Sequence, residues 1–88
     1  MTRKMRVLLA DDHPIVRDGL KAVLEAQPDI EVVGEAASGQ EAAEKAGRLK
    51  PDIVIMDLAM PGMSGIEATR RIKQQNPDVK IMALTMHE

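Results

Sequence analysis

Four side chains in this 88-residue sequence combine a reactive type with a telling position: Asp11, Asp12, Asp57 and Thr85. Asp11-Asp12 directly follows the apolar run Val7-Leu8-Leu9-Ala10, and Asp57 directly follows Ile53-Val54-Ile55-Met56. Thr85 follows a third such run, ending at Leu84. Carboxylates gathered in one place repel one another. Two unit charges about 4 Å apart cost roughly 4 kcal/mol at an effective dielectric near 20. A hard divalent cation relieves that repulsion, and carboxylate, carbonyl and water oxygens suit Mg²⁺. With one carboxylate oxygen to spare, such a cluster can take a phosphoryl group, because aspartate serves as a nucleophile in acyl-phosphate chemistry. The cation and nearby donors then offset the charge on the transferring group.

This chemistry requires elements that bring residues 11, 12, 57 and 85 to one place. The run 7–10 is uninterrupted, as expected for a strand covered on both faces. Pro14 suits a first helical position, and Val16, Leu20, Val23 and Leu24 then fall at helical spacing. That helix should stop before Pro28. Residues 30–33 read as a second strand closed by Gly34. Ser38 with Glu41 is a capping box that opens a helix running to about Gly47. Pro51-Asp52 breaks the chain before a third strand over 53–56. Ser64 with Glu67 is a second capping box, opening a helix that carries Ile66 and Ile72 and ends before Pro77. Residues 79–84 form a fourth strand. The pattern is βαβαβαβ, which implies an α/β architecture with a parallel sheet and helices on both faces.

In open sheets of this kind, sites form beyond the carboxyl ends of the strands, where the strand order reverses. With strand three on one side of strand one and strand two on the other, that point falls between Asp11-Asp12 and Asp57. This is the flavodoxin-like order 2-1-3-4.

Three segments carry a resemblance: Leu8-Leu9-Ala10-Asp11-Asp12-His13, Ile55 through Gly65 around Asp57, and Ala83-Leu84-Thr85. Together, in this order, they resemble the receiver domains of two-component response regulators. Asp12-His13-Pro14 and Arg17-Asp18-Gly19-Leu20 further resemble the branch that carries a C-terminal helix-turn-helix DNA-binding domain. The resemblance implies that Asp57 takes a phosphoryl group from a phosphohistidine on a sensor histidine kinase. It implies Mg²⁺ held by Asp12 directly, by Asp11 mainly through water, by Asp57, and by the backbone carbonyl of Ala59. Thr85 would hydrogen-bond the phosphoryl group and move with it, while Pro61 and Gly62 shape the loop. Ala59 departs from the polar residue that many relatives carry there. Receiver domains also continue with a helix, a fifth strand bearing a lysine, and a last helix. On this reading residues 1–88 are an incomplete receiver domain, lacking the last strand and last two helices. The DNA-binding output domain would lie outside the chain.

Each motif also has a plainer explanation. Asp11 and Asp12 favour the positive end of the following helix, Asp57 suits a turn, and Thr85 suits a strand end. His13 is read as a helix-start residue. Met60 and Met63 are read as loop packing, since thioethers are poor partners for a hard cation. Arg70, Arg71 and Lys73 are read as a solvated helix face. Two other functions compete: a non-phosphorylatable interaction module of the same shape, and an aspartate-nucleophile phosphohydrolase. The second usually needs Asp-x-Asp after the first strand, whereas here the acids are adjacent.

Composition narrows the remaining classes. A net charge of -2 offers no electrostatic footprint for nucleic acid or an anionic membrane, so any DNA contact would come through the output domain. The chain has no cysteine, which excludes disulfides and thiolate metal sites and suits a cytoplasmic location. No apolar run approaches the ~20 residues of a membrane span. Phe, Tyr and Trp are absent, and seven Met residues take over some of the gap-filling. An open fourth-strand edge would favour a homo-oligomer or a domain-swapped dimer for this stretch alone.

Overall fold

The computed structural model describes residues 3–60 and 65–84. Its elements are β1 (Met5–Ala10), α1 (Pro14–Glu25), β2 (Ile30–Ala36), α2 (Gly39–Leu49), β3 (Ile53–Asp57), α3 (Gly65–Gln75) and β4 (Lys80–Leu84). All strand pairs are parallel and the order is β2-β1-β3-β4, the flavodoxin-like arrangement expected from the alternation. β1 therefore has a neighbour on each side and helices over both faces. That is why Val7, Leu8, Leu9 and Ala10 are each buried.

The two faces are packed differently. On one, α2 and α3 cover Leu8, Ala10, Val54 and Met56, with Ala42, Ala43, Ala46, Ala68 and Ile72 facing the sheet. The small side chains of α2 let it sit close. At Gly34 an added Cβ would lie only 2.7 Å from a methyl of Leu49. On the other face α1 is the one helix among the described residues, packing Leu20 and Leu24 over Val7, Leu9 and Ile55. None of its residues is fully buried, and Val23, expected on its apolar stripe, is 66% exposed. Met82, on the same face as Leu84, is half exposed, and β4 has a partner on one side only among the described residues.

Two expected boundaries move. β2 runs past Gly34 to Ala36, because the pairing with β1 slips by one residue after Val7 and leaves Val33 over. This β-bulge is invisible to a reading that takes glycine as a strand end. α2 continues to Leu49, and Lys50 closes it in the left-handed conformation at φ 51°. The Ser38 cap is present, its Oγ accepting from the Glu41 amide at 3.1 Å. Glu41 reaches one residue further back than a standard capping box, accepting from the Ala37 amide at 2.7 Å. That bond, aided by Lys45, holds the Glu41 carboxyl below its ordinary pKa. The Ser64 cap lies outside the described residues. Arg70 and Arg71 are exposed as expected. Lys73 is exposed too, and its Nζ donates to the carbonyls of Val79 and Pro77, tying the end of α3 to the start of β4.

Asp52 fastens the amino ends of the central strands. Its Oδ2 accepts from the Arg6 amide at 2.8 Å, its Oδ1 accepts from the Arg3 guanidinium at 2.7 Å, and its backbone N–H donates to the Arg6 carbonyl. The Arg6 amide first, and the Arg3 charge after it, lower the Asp52 pKa. A carboxylate depressed in the folded state stabilises above its unfolded pKa near 4, and that contribution fades as pH falls through the lower folded value. Asp52→Asn should therefore cost about 1 kcal/mol at pH 7 and progressively less from about pH 4 downward. Urea unfolding at both pH values checks this. An equal deficit at each would rule the ionised carboxylate out as the cause.

Candidate functional site

The carboxyl ends of β1 and β3 lie side by side, since Ala10 pairs with Met56. The residues that follow are thereby forced together. Ligand atoms of Asp11, Asp12, His13 and Asp57 all lie within 4.8 Å of one another. Asp11 is 1% exposed and Asp57 0%, whereas the Asp12 side chain is a quarter exposed.

Asp11 and Asp57 are held by the same local device. Asp11 Oδ1 accepts from the backbone N–H of His13 at 2.7 Å, and Asp57 Oδ1 accepts from that of Ala59 at 2.9 Å. An aspartate bonding the amide two residues on makes a self-supporting turn at a strand end. In each case one oxygen is fixed and the other is left for something else. Asp11 Oδ2, Asp57 Oδ2 and Asp12 Oδ1 are all buried without a hydrogen bond. Buried polar atoms without partners are rare and demand an explanation. Three on carboxylates, in one place, fit a hard cation with oxygen ligands.

His13 belongs to this cluster, which the helix-start reading missed. It does occupy the position before α1, but its side chain makes no capping bond. Instead Nδ1 lies 3.1 Å from Asp11 Oδ1, 3.0 Å from Asp12 Oδ1 and 3.8 Å from Asp57 Oδ2. The approach to Asp12 is close without the alignment of a hydrogen bond, so that oxygen still lacks a partner. The Asp11 hydrogen bond and then the Asp12 charge raise the His13 pKa. Its place next to two acids was the only sequence signal for this.

Ala59 enters the site through its amide, while its side chain is exposed. Met60 is buried among the α2–α3 side of the core, as loop packing requires. Thr85, Pro61, Gly62 and Met63 lie outside the described residues.

Residues 7–88 match the family described as the response regulator receiver domain. Over 81 residues the chain is 58% identical to the transcriptional regulatory protein LiaR of Bacillus subtilis, covering 92% of this chain and 38% of LiaR. The response regulator protein VraR of Staphylococcus aureus is 53% identical over 81 residues, covering 92% of this chain and 39% of VraR. The chain thus spans about two fifths of the length of these curated relatives. In three dimensions it is similar to the response regulator domain of Thermotoga maritima CheB, with TM-score 0.90 and 43% identity over 94% of this chain and 61% of that one. A LuxR-family two-component response regulator from Aurantimonas gives TM-score 0.90 at 47% identity, over 97% of this chain and 61% of that one. Among the described residues no helix is long and apolar enough to cross a membrane. With the same sheet order and sequence similarity along nearly its whole length, the chain belongs to the response-regulator receiver domain family.

Proposed function

We propose that this receiver accepts a phosphoryl group on Asp57 from a phosphohistidine of a sensor histidine kinase. The observation that carries the reading is the set of three buried carboxylate oxygens on Asp11, Asp12 and Asp57 that have no hydrogen-bond partner. In the transfer, the N–P bond of the donor histidine breaks as a bond forms between phosphorus and an Asp57 carboxylate oxygen. The departing imidazole nitrogen takes up a proton. Mg²⁺, when bound, neutralises the acidic cluster and the charge on the transferring group. Asp12 and Asp57 would hold it directly and Asp11 mainly through water, with the Ala59 carbonyl as a further ligand. Ala59 also contributes its amide, which keeps Asp57 from rotating. Thr85, following β4, would hydrogen-bond the transferred group. The chain acts as a switch that is charged and discharged, with no separate substrate to turn over.

The output of this reading is transcription regulation in the cytoplasm through a DNA-binding domain outside these residues, supported by the 58% identity to a transcriptional regulatory protein. Incubation of the intact natural protein with acetyl phosphate should add one phosphoryl group when Mg²⁺ is present and none in excess chelator. Equal labelling in both would sink the metal-assisted mechanism. Residues 1–88 alone should self-associate through the open β4 edge and the exposed Met82 face. Light scattering that gives a monomer mass at every concentration would count against that.

A further inference from the structure

We infer that Arg17 is the positioning residue that sets how well Asp11 and Asp12 hold a cation. The inference rests on the metal-binding reading above. Arg17 lies one helical turn beyond His13, and its amide donates to the His13 carbonyl. Its guanidinium spans two partners. Nη1 donates to the backbone carbonyl of Asp11 at 2.7 Å, and Nε donates to Glu35 Oε1 at 3.0 Å.

The Asp11 carbonyl belongs to the peptide that joins Asp11 to Asp12. The preceding peptide is held as well, because the Asp11 N–H donates to the Ala36 carbonyl at 2.9 Å. With both flanking peptides fixed, the Asp11 and Asp12 side chains leave the backbone in set directions. Release of the Asp11 carbonyl frees the linking peptide to rotate, and that rotation carries the Asp12 carboxylate with it. Metal affinity is sensitive to such outer contacts, whose loss typically weakens binding 10–100-fold.

Glu35 anchors the other end of the clamp. Lys21 of α1 approaches its carboxylate at 3.5 Å, and Lys45 of α2 donates to its backbone carbonyl. Arg17 is four-fifths buried and its planar fork fits both partners at once. Lysine carries all its donors on a single nitrogen and cannot reproduce a span made from Nε and Nη1.

Charge and geometry predict opposite signs, which makes the test decisive. Arg17 is a cation beside an acidic cluster, so its charge alone opposes a second cation. If charge were its only effect, Arg17→Met would tighten metal binding. As a positioning residue its loss must weaken binding instead. The test uses Mn²⁺ as the probe, a hard divalent ion with the same oxygen preference, read from the spin-resonance signal of the free ion. It is done on the intact natural protein at a temperature where each variant is folded by circular dichroism. Arg17→Met should weaken Mn²⁺ binding about tenfold. Arg17→Lys, which keeps the charge, should also weaken it. Glu35→Met should act in the same direction by less, and the Arg17→Met/Glu35→Met double variant should bind no worse than Arg17→Met. Lys4 precedes β1 at the end away from the site, and Lys4→Met should leave affinity unchanged. Metal-free unfolding midpoints, measured alongside, separate lost stability from lost affinity. Wild-type or tighter Mn²⁺ binding by Arg17→Met or by Arg17→Lys overturns the inference. Failure of the unsubstituted protein to bind Mn²⁺ overturns the metal-binding reading itself.

Discussion

Asp57→Asn should abolish labelling by acetyl phosphate and, without metal, make the protein more stable. The two effects share one cause. Asparagine keeps the oxygen that accepts the Ala59 amide, so the turn after β3 survives. It removes a negative charge that is 0% exposed and lies among the Asp11 and Asp12 carboxylates. Relief of that repulsion is worth about 1–3 kcal/mol at an effective dielectric near 20. The amide is no nucleophile, so no acyl phosphate forms. Urea unfolding with and without Mg²⁺ should show the advantage in metal-free buffer and its loss as Mg²⁺ rises, because only the unsubstituted site gains from the cation. Labelling of Asp57→Asn at the unsubstituted level would remove Asp57 as the acceptor. A metal-free variant less stable than the parent would remove the repulsion argument.

Gly65→Ala should destabilise the fold by about 2 kcal/mol, lowering the melting midpoint by about 10 °C. Gly65 begins α3 and sits against the segment that follows Asp57. An added Cβ would lie 2.7 Å from Leu58 Cδ2, 2.9 Å from Leu58 Cα and 3.1 Å from the Asp57 carbonyl oxygen. The Leu58 methyl can rotate away. Its Cα cannot, so either α3 or the backbone carrying Asp57 must shift. Alanine's helix preference returns less than about 1 kcal/mol at a first helical position. Gly19 provides the control: it lies within α1 with nothing inside 4 Å of an added Cβ. Gly19→Ala should therefore stabilise by roughly 0.4–1 kcal/mol. Thermal unfolding of the two variants should move in opposite directions. Equal shifts would mean that the Gly65 contact yields without cost.

The element order was readable because β1, β3 and β4 each contain a short apolar run and each helix has a proline, cap or glycine nearby. Adjacency of β1 and β3 then carried Asp11, Asp12 and Asp57 to one end. Local patterns could not show side chains whose partners are chosen by the tertiary fold. His13 looks like a residue before a helix, yet its ring turns toward acids from two strands. Lys73 looks like a solvated charge, yet it binds carbonyls across a turn. Arg17 and Glu35 are 18 positions apart, and nothing in their spacing pairs them. Val23 has helical spacing with Leu20 and Leu24, but among the described residues no second helix lies beside α1 on that face, and Val23 is left in solvent.

The slip of pairing at Val33 inverts the polarity of the strand beyond it. Before the slip, Ile30 and Val32 point toward α1; after it, Glu35 does, while Gly34 and Ala36 turn to the alanine-lined side. In an unbroken alternation Glu35 would point at α2, and Ala36 would stand opposite Arg17. A carboxylate without its guanidinium would then be driven into an apolar layer, and the Asp11 peptide would lose its brace. Val33 is thus the residue that the ladder passes over, with no partner on β1. Because Val7 pairs with Val32 and Leu8 with Gly34, the wiring is kept by the bulge that absorbs this extra position, and Glu35 faces Arg17 as a result.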